Sequence, residues 1–252
     1  MFDDFKTAMF KEFEMTYCGL INFFLGIEVK QSKDGIFISQ KKYAKEILEK
    51  FKMDSCKPMS TLVTTGMKMT KSGEGKLINP TLYESLVGSL RYLTITRSDI
   101  VYGVGLVSRY METPKESHWC TVKRIVRYIK GTLDYGMFYS YGDEAKLSGY
   151  SNSDWAGDLD DRKRYAFYLG STTFTWRSKK QPVVALSSCD AEYIASPSAV
   201  CEALWLRNLL QELCHAQEES TIVYVDNVSA IKLAKNPVQH GRSKHIDTSG
   251  TS

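Results

Sequence analysis

The spacing of apolar and polar positions changes character near residue 145. Before it, Phe2, Phe5, Met9 and Phe13 recur at helical intervals and predict an amphipathic helix at the start of the chain. In "LINFFLGIEVKQSKDGIFISQ" two apolar runs flank Lys33-Asp34-Gly35, and Asp-Gly between strand-like runs is a hairpin signal. Tyr43, Ile47, Leu48 and Phe51 then form a helical stripe, with Ser39 as its expected N-cap. Residues 55–80 are rich in Lys, Thr, Ser, Gly and Pro and lack periodicity, which reads as an exposed linker or long loop. "TLYESLVGSLRYLTIT" and "DIVYGVGLVSRYM" are helix-like. "PKESHWCTVKRIVRYIKGTL" is a further helix with Pro114 near its start and Gly131 at its stop. Lys123, Arg124, Arg127 and Lys130 cluster on it, as a solvated face or as a ridge that contacts phosphates.

From about residue 145 the periodicity shortens. "YGMFYS", "KLSGYSNSDWAG", "YAFYLGSTTFTWRS" and "VVALSS" are strand candidates. A long helix is expected from about Asp190 to Leu213, then a strand in "STIVYVDN" and a short helix in "VSAIKLAKN". Beyond "YGMFYS", three strands, a helix, a strand and a helix describe an α+β domain beginning near residue 145. No internal repeat is evident.

Composition narrows the class. No apolar run approaches the roughly 20 residues of a membrane span, and "MFDDFKTAMFKEF" is no signal peptide, so an intracellular protein, cytoplasmic or nuclear, is expected. The six cysteines (18, 56, 120, 189, 201 and 214) contain no CxxC pair and read as reduced thiols; Cys189 has no histidine near it in sequence. Residues 1–141 hold 21 Lys and Arg against 15 Asp and Glu, a net of +6, while residues 142–252 hold 12 against 14, a net of −2. A basic first half is compatible with nucleic-acid contact. No small-molecule substrate and no membrane partner is indicated.

The second half carries the candidate chemistry. Asn152 and Asp154 lie two apart on one strand and share a face. Glu192 opens the long helix and Asp226 ends the fourth strand. A carboxylate at the end of an apolar strand is costly to desolvate unless it pairs or binds a cation. Several such groups converging make a hard-oxygen site for Mg²⁺, and two ions about 4 Å apart can drive phosphodiester cleavage. Taken singly, each of these acids also fits a cap or surface role. His240 and His245, in "HGRSKHID", read as structural or surface residues without partner ligands.

Longer stretches carry a resemblance. "DWAGDLDDRK", "SKKQPVVALSSCDAEY", "EALWLRNLLQEL", "VDNVSAIKLAKNPV" and "SKHID" are similar to the ribonuclease H domain of copia-type retrotransposon polyproteins. "EFEMT", "FFLGIEV", "GIFISQKKYAKEIL", "YESLVGSLRYLT", "TRSDI" and "VKRIVRYIKGTLDYG" resemble the reverse transcriptase region just upstream in the same polyproteins. The resemblance implies two parts and a tail. Residues 1–141 correspond to the C-terminal part of the reverse transcriptase, with palm end, primer-grip hairpin and thumb and connection helices. Residues 142–247 correspond to a ribonuclease H-like mixed sheet with helices, incomplete at its C-terminus, and 248–252 to an unstructured tail. It assigns nucleic-acid contact to Phe24, Leu25 and Gly26 of the hairpin, to Lys41 and Lys42 of the thumb helix, and to Lys123, Arg124 and Arg127. It assigns the metal and catalytic positions to Asn152, Glu192 and Asp226, with Asp154 as a possible substitute ligand. The implied cofactor is Mg²⁺ and the implied partner an RNA–DNA hybrid or template-primer duplex.

Departures from the family pattern predict lost activity. Asn152 stands where the family has the first metal-binding Asp, which removes one negative charge. Three residues of the usual "DRKSTSGYVFFLG" are missing from "DDRKRYAFYLG", so a shortened turn is expected. Pro197 falls inside the helix opened by Glu192, where an interior proline costs about 3 kcal/mol or a kink. The "YVDD" aspartates of a polymerase palm would lie upstream of residue 1, and the fourth nuclease carboxylate beyond "KHIDTSGTS"; Asp247 is not that residue by position. The resulting expectation is a remnant that is inactive in DNA synthesis and in hybrid cleavage. The alternatives are a non-catalytic nucleic-acid-binding module and a residually active ribonuclease H.

Overall fold

The computed structural model describes residue 7 and residues 9–14, 19–64, 69–154, 162–180 and 187–235, and has an α+β architecture with two four-stranded sheets and helices. The first sheet has the order β1 (Phe23–Phe24), β2 (Ile27–Gln31), β3 (Gly35–Ser39), β4 (Met137–Ser140), all antiparallel. The second has the order β7 (Thr172–Lys180), β6 (Arg162–Leu169), β5 (Leu147–Asp154), β8 (Ile222–Val225), in which only β8 runs parallel to its neighbour.

The hairpin predicted around Asp34-Gly35 forms, with Val29 opposite Ile38. Gly35 is the first residue of β3. A Cβ there would stand 2.2 Å from the carbonyl oxygen of Tyr139, so glycine lets β4 approach β3. That strand comes from "YGMFYS", and it extends the first sheet rather than opening the second. "YAFYLGSTTFTWRS" is likewise two strands, β6 and β7, broken at Gly170, whose φ of 63° suits a residue without Cβ. The expected strand in "VVALSS" falls on residues 183–186, outside the described residues, and on Ser187 and Ser188, the latter the first residue of a helix. The N-terminal helix lies mostly outside them; residues 9–12 are helical.

The helices that follow β3 form a core of their own. Helix α1 (Lys41–Lys50) leaves β3 without an intervening loop, so Ser39 ends the strand and Gln40, not Ser39, is the N-cap. Helices α2 (Pro80–Leu93), α3 (Val101–Val107) and α4 (Glu116–Gly131) pack their apolar stripes together through Tyr83, Leu86, Leu90, Val104, Ile125 and Ile129. Each fully buried aliphatic side chain contributes about 1.5–3 kcal/mol relative to exposure. Arg97, before α3, is buried in this unit. It binds Asp99 through Nε at 2.9 Å and Nη2 at 2.8 Å, and donates to the carbonyl (2.9 Å) and hydroxyl (2.6 Å) of Thr132 at the end of α4.

The expected exposed linker or long loop, residues 55–80, is over its described residues a mostly exposed loop that ends in helix at Pro80, and it is strapped to the helical core at a few points. Cys56, Leu62 and Met69 pack against that core, and Tyr110 donates to the Met69 carbonyl at 3.0 Å. His118 fixes the next residue. Its Nδ1 accepts the Lys115 N–H at 3.1 Å, so the ring proton sits on Nε2, which donates to the Thr70 carbonyl at 3.0 Å. The ring stacks on Tyr110 at 4.0 Å and is buried. Burial holds the His118 pKa below its ordinary value, against the raising effect of the Thr70 bond, and the Lys115 charge lowers it further. A histidine with a depressed folded pKa contributes stability that is fully present above the unfolded value of about 6.5 and lost as pH falls below it. Urea midpoints of the wild type should therefore fall between about pH 7 and pH 5 by more than those of His118→Gln; parallel falls would remove His118 from the account.

In the second unit helix α5 (Ser188–Glu212) lays Ala199, Ala203, Leu206 and Leu210 against Leu147, Tyr165 and Phe167. The helix continues through Pro197, which is exposed. Helix α6 (Val228–Lys235) follows β8, capped by Asn227, whose Oδ1 accepts the N–H of Ser229 (2.9 Å) and of Ala230 (3.1 Å). The units touch where Tyr139 donates to the Thr173 carbonyl at 3.2 Å and where Arg164 lies 4.8 Å from the Tyr102 ring centroid. Among the described residues no helix is long and apolar enough to cross a membrane. The shortened turn at residues 155–161, His240, His245, Asp247 and the 248–252 tail lie outside the described residues.

Candidate functional site

Topology brings residues 152, 192 and 226 to one end of the second sheet. Ser151 pairs with Val225 across the parallel β5–β8 step, so Asn152 and Asp226 are the next residues on neighbouring strands. Glu192 lies near the start of α5, which packs on β5. Alternation then separates their side chains. Ser151 and Ser153 are buried, while Asn152 between them is exposed, as is Asp226. Glu192 is buried, and its Oε1 accepts the backbone N–H of Ser153 at 2.6 Å. The helix carboxylate therefore meets the strand's backbone one residue beyond Asn152. Asp154 is the last residue of β5, two beyond Asn152; its side chain lies outside the described residues.

Magnesium at a two-ion site requires a dense set of charged oxygens. This donor set does not fit one. Asn152 offers a neutral amide, one oxygen of Glu192 is engaged by an amide N–H, and among the described residues no group of three or more His, Cys, Asp or Glu is placed to hold an ion. No step through a metal follows from these residues.

The hairpin residues occupy a tight turn. Leu25 (φ 46°) and Gly26 (φ 78°) are both left-handed between β1 and β2, the pattern of a two-residue type I′ turn. The Tyr92 hydroxyl donates to the Leu25 carbonyl and holds the turn against α2. Leu20, Ile21, Phe23, Phe24 and Leu25 are exposed together, beside an apolar cleft of about 640 Å³ lined by Ile27, Val29, Ile36, Ile38 and Met137.

The cations divide into two groups. On α4, Arg124 donates to the Thr61 hydroxyl at 2.6 Å, Arg127 to the Lys57 carbonyl at 2.7 Å and Lys130 to the Cys56 carbonyl at 2.5 Å. These three tie the strap to the helix, so the cluster read from sequence as a solvated face or a phosphate ridge also has a structural use. Lys123 lies over the Trp119 ring at 5.4 Å. On α1, Lys42 lies 5.8 Å from the Phe23 ring centroid, and Lys41 forms an ion pair with Asp134. Sequence reasoning missed Asp134, because its partner is far away in the chain. It also missed the Asn227 cap, although an Asn directly before an apolar helical run is a readable signal.

A family model described as reverse transcriptase (RNA-dependent DNA polymerase) matches residues 1–65. The chain is 42% identical over 229 residues to the retrovirus-related Pol polyprotein from transposon RE2 of Arabidopsis thaliana, an alignment covering 90% of this chain and 16% of that protein. It is 39% identical over 254 residues to the corresponding polyprotein from transposon TNT 1-94 of Nicotiana tabacum, covering 96% of this chain and 19% of that one. An uncharacterized mitochondrial protein of Arabidopsis thaliana is 36% identical over 196 residues, 77% of this chain and 81% of that protein. The chain thus spans less than a fifth of the Pol polyproteins it matches. No solved structure matches. Identity of this order over nine-tenths of the sequence makes the chain a member of the copia-type retrotransposon Pol polyprotein family.

Proposed function

We propose that the chain is a remnant of a copia-type reverse transcriptase and ribonuclease H that no longer cleaves hybrids and keeps an affinity for nucleic acid. The ribonuclease H assignment of the second half is supported by its strand order, an antiparallel run β7-β6-β5 followed by a helical crossover to β8 parallel to β5. The observation that carries the loss of cleavage is the pairing of an exposed neutral Asn152 with a buried Glu192 whose oxygen receives the Ser153 N–H. A charge-stabilising group at a reacting centre is commonly worth several kcal/mol, so its loss costs orders of magnitude in rate. Incubation of the purified chain with a labelled RNA–DNA hybrid and Mg²⁺ should give no product above buffer. Turnover that disappears in Asp226→Asn would refute the reading.

Retained affinity has its own support. Lys41, Lys42 and Lys45 sit together on α1, while Lys30 and Lys33 are exposed on the adjoining hairpin. Backbone phosphates supply most of non-specific nucleic-acid affinity, and such clusters serve it without any catalytic group.

A further inference from the structure

Helix α1 breaks a local rule. Its first turn carries Lys41 and Lys42 and no acid, Lys45 follows one turn later, and Gln40 gives no side-chain cap. Cations at a helix N-terminus oppose the macrodipole. Positions where a sequence violates local preference are where function is to be sought. The compensating carboxylates come from distant segments. Glu28 on β2 accepts the Lys42 backbone N–H at 2.6 Å, which satisfies one helix donor. Asp134, in the segment between α4 and β4, makes no such backbone contribution. It pairs with the Lys41 ammonium, and the pair is open to solvent, with side-chain exposures of 38% for Lys41 and 81% for Asp134. Lys30 on β2 and Lys45 on α1 act electrostatically on the same carboxylate.

Lys41 thus holds one oxygen of an exposed carboxylate, while Lys30 from the neighbouring strand and Lys45 from one turn along the helix add positive charge acting on the same group. A phosphodiester offers the same chemistry: two anionic oxygens, one negative charge, and full access from solvent. We propose that Asp134 is an intramolecular stand-in for a nucleic-acid phosphate, holding Lys41 in the free protein and yielding it when a backbone docks across Lys30, Lys41 and Lys45. The proposal rests on the nucleic-acid affinity argued above and adds its regulation: docking is a displacement of one anion by another, and the resident acid weakens it.

The test is fluorescence anisotropy of the full chain with a labelled RNA–DNA hybrid, titrated at several KCl concentrations. Asp134→Asn should tighten binding about two- to fivefold, the range an exposed ion pair commands, and steepen the log–log salt slope by about one. Glu112→Gln, which removes the same charge at an exposed site between α3 and α4, should do neither. Adding Lys41→Ala to Asp134→Asn should abolish the gain. If the wild type binds and Asp134→Asn behaves like Glu112→Gln, the stand-in role is wrong and the affinity stands. If no form binds at low salt, the affinity itself is wrong and the stand-in with it. Inorganic phosphate that erases the difference at constant ionic strength would assign the lysines to free phosphate and overturn the proposal.

Discussion

Replacing Arg97 by Met should lower the unfolding free energy by about 1.5–3 kcal/mol, the worth of hydrogen bonds made by a buried charged group whose acid partner, Asp99, is itself open to solvent. The guanidinium is 3% exposed, and four of its donor contacts close a ring between two segments: both Asp99 oxygens on one side, the Thr132 carbonyl and hydroxyl on the other. Tyr128 donates to the same Asp99 carboxylate at 3.0 Å, and the Tyr135 ring centroid lies 5.3 Å from the guanidinium carbon. Methionine fills the volume but leaves Asp99 without its counter-charge and the Thr132 carbonyl without its donor. Lysine should rescue little, because an ammonium cannot span a planar fork of two carboxylate oxygens and a carbonyl. Urea unfolding followed by the far-ultraviolet helix signal reads the result. A midpoint within error of wild type for Arg97→Met would show that the ring is decorative.

Arg97 also marks the limit of what periodicity reveals. Helices α1, α2 and α4 were legible because each buries one stripe, so the spacing of apolar residues follows the packing. In the second half the long helix, the strand in "STIVYVDN" and the short helix after it were legible in the same way. What stayed hidden was pairing between remote segments. Nothing local in "YGMFYS" says that it joins β3, since the Gly35 that admits it lies a hundred residues earlier. Nothing local in residues 55–80 says that they lie on the core. Arg127, Lys130 and His118 on another helix bond the Lys57, Cys56 and Thr70 carbonyls and Arg124 the Thr61 hydroxyl, contacts that leave no pattern in the strap itself. The candidate site shows the same division. The resemblance located positions 152, 192 and 226, and the parallel register of β5 and β8 brings them to one end of the sheet. Which way each side chain faces depended on strand alternation and on the depth at which α5 packs.

That depth gives the second large effect. Glu192→Ala should destabilise the second unit by about 2–3 kcal/mol, because a charge-assisted hydrogen bond is lost and a buried amide N–H is left without an acceptor. The carboxylate is 3% exposed and its 2.6 Å bond to the Ser153 N–H links the first turns of α5 to the end of β5. Glu192→Gln keeps an acceptor oxygen of nearly the same shape, so it should retain most of that stability. In a working two-metal nuclease the order of effects is reversed. There the amide would be nearly as damaging to turnover as the truncation, and its effect on folding would be incidental. Thermal melts and hybrid-cleavage assays on the same two variants therefore separate the roles. A stability ladder of wild type, Gln and Ala with a flat, buffer-level cleavage rate is the expected outcome. Equal melting curves joined to a cleavage rate that falls in both variants would place Glu192 back in the chemistry and remove it from the fold.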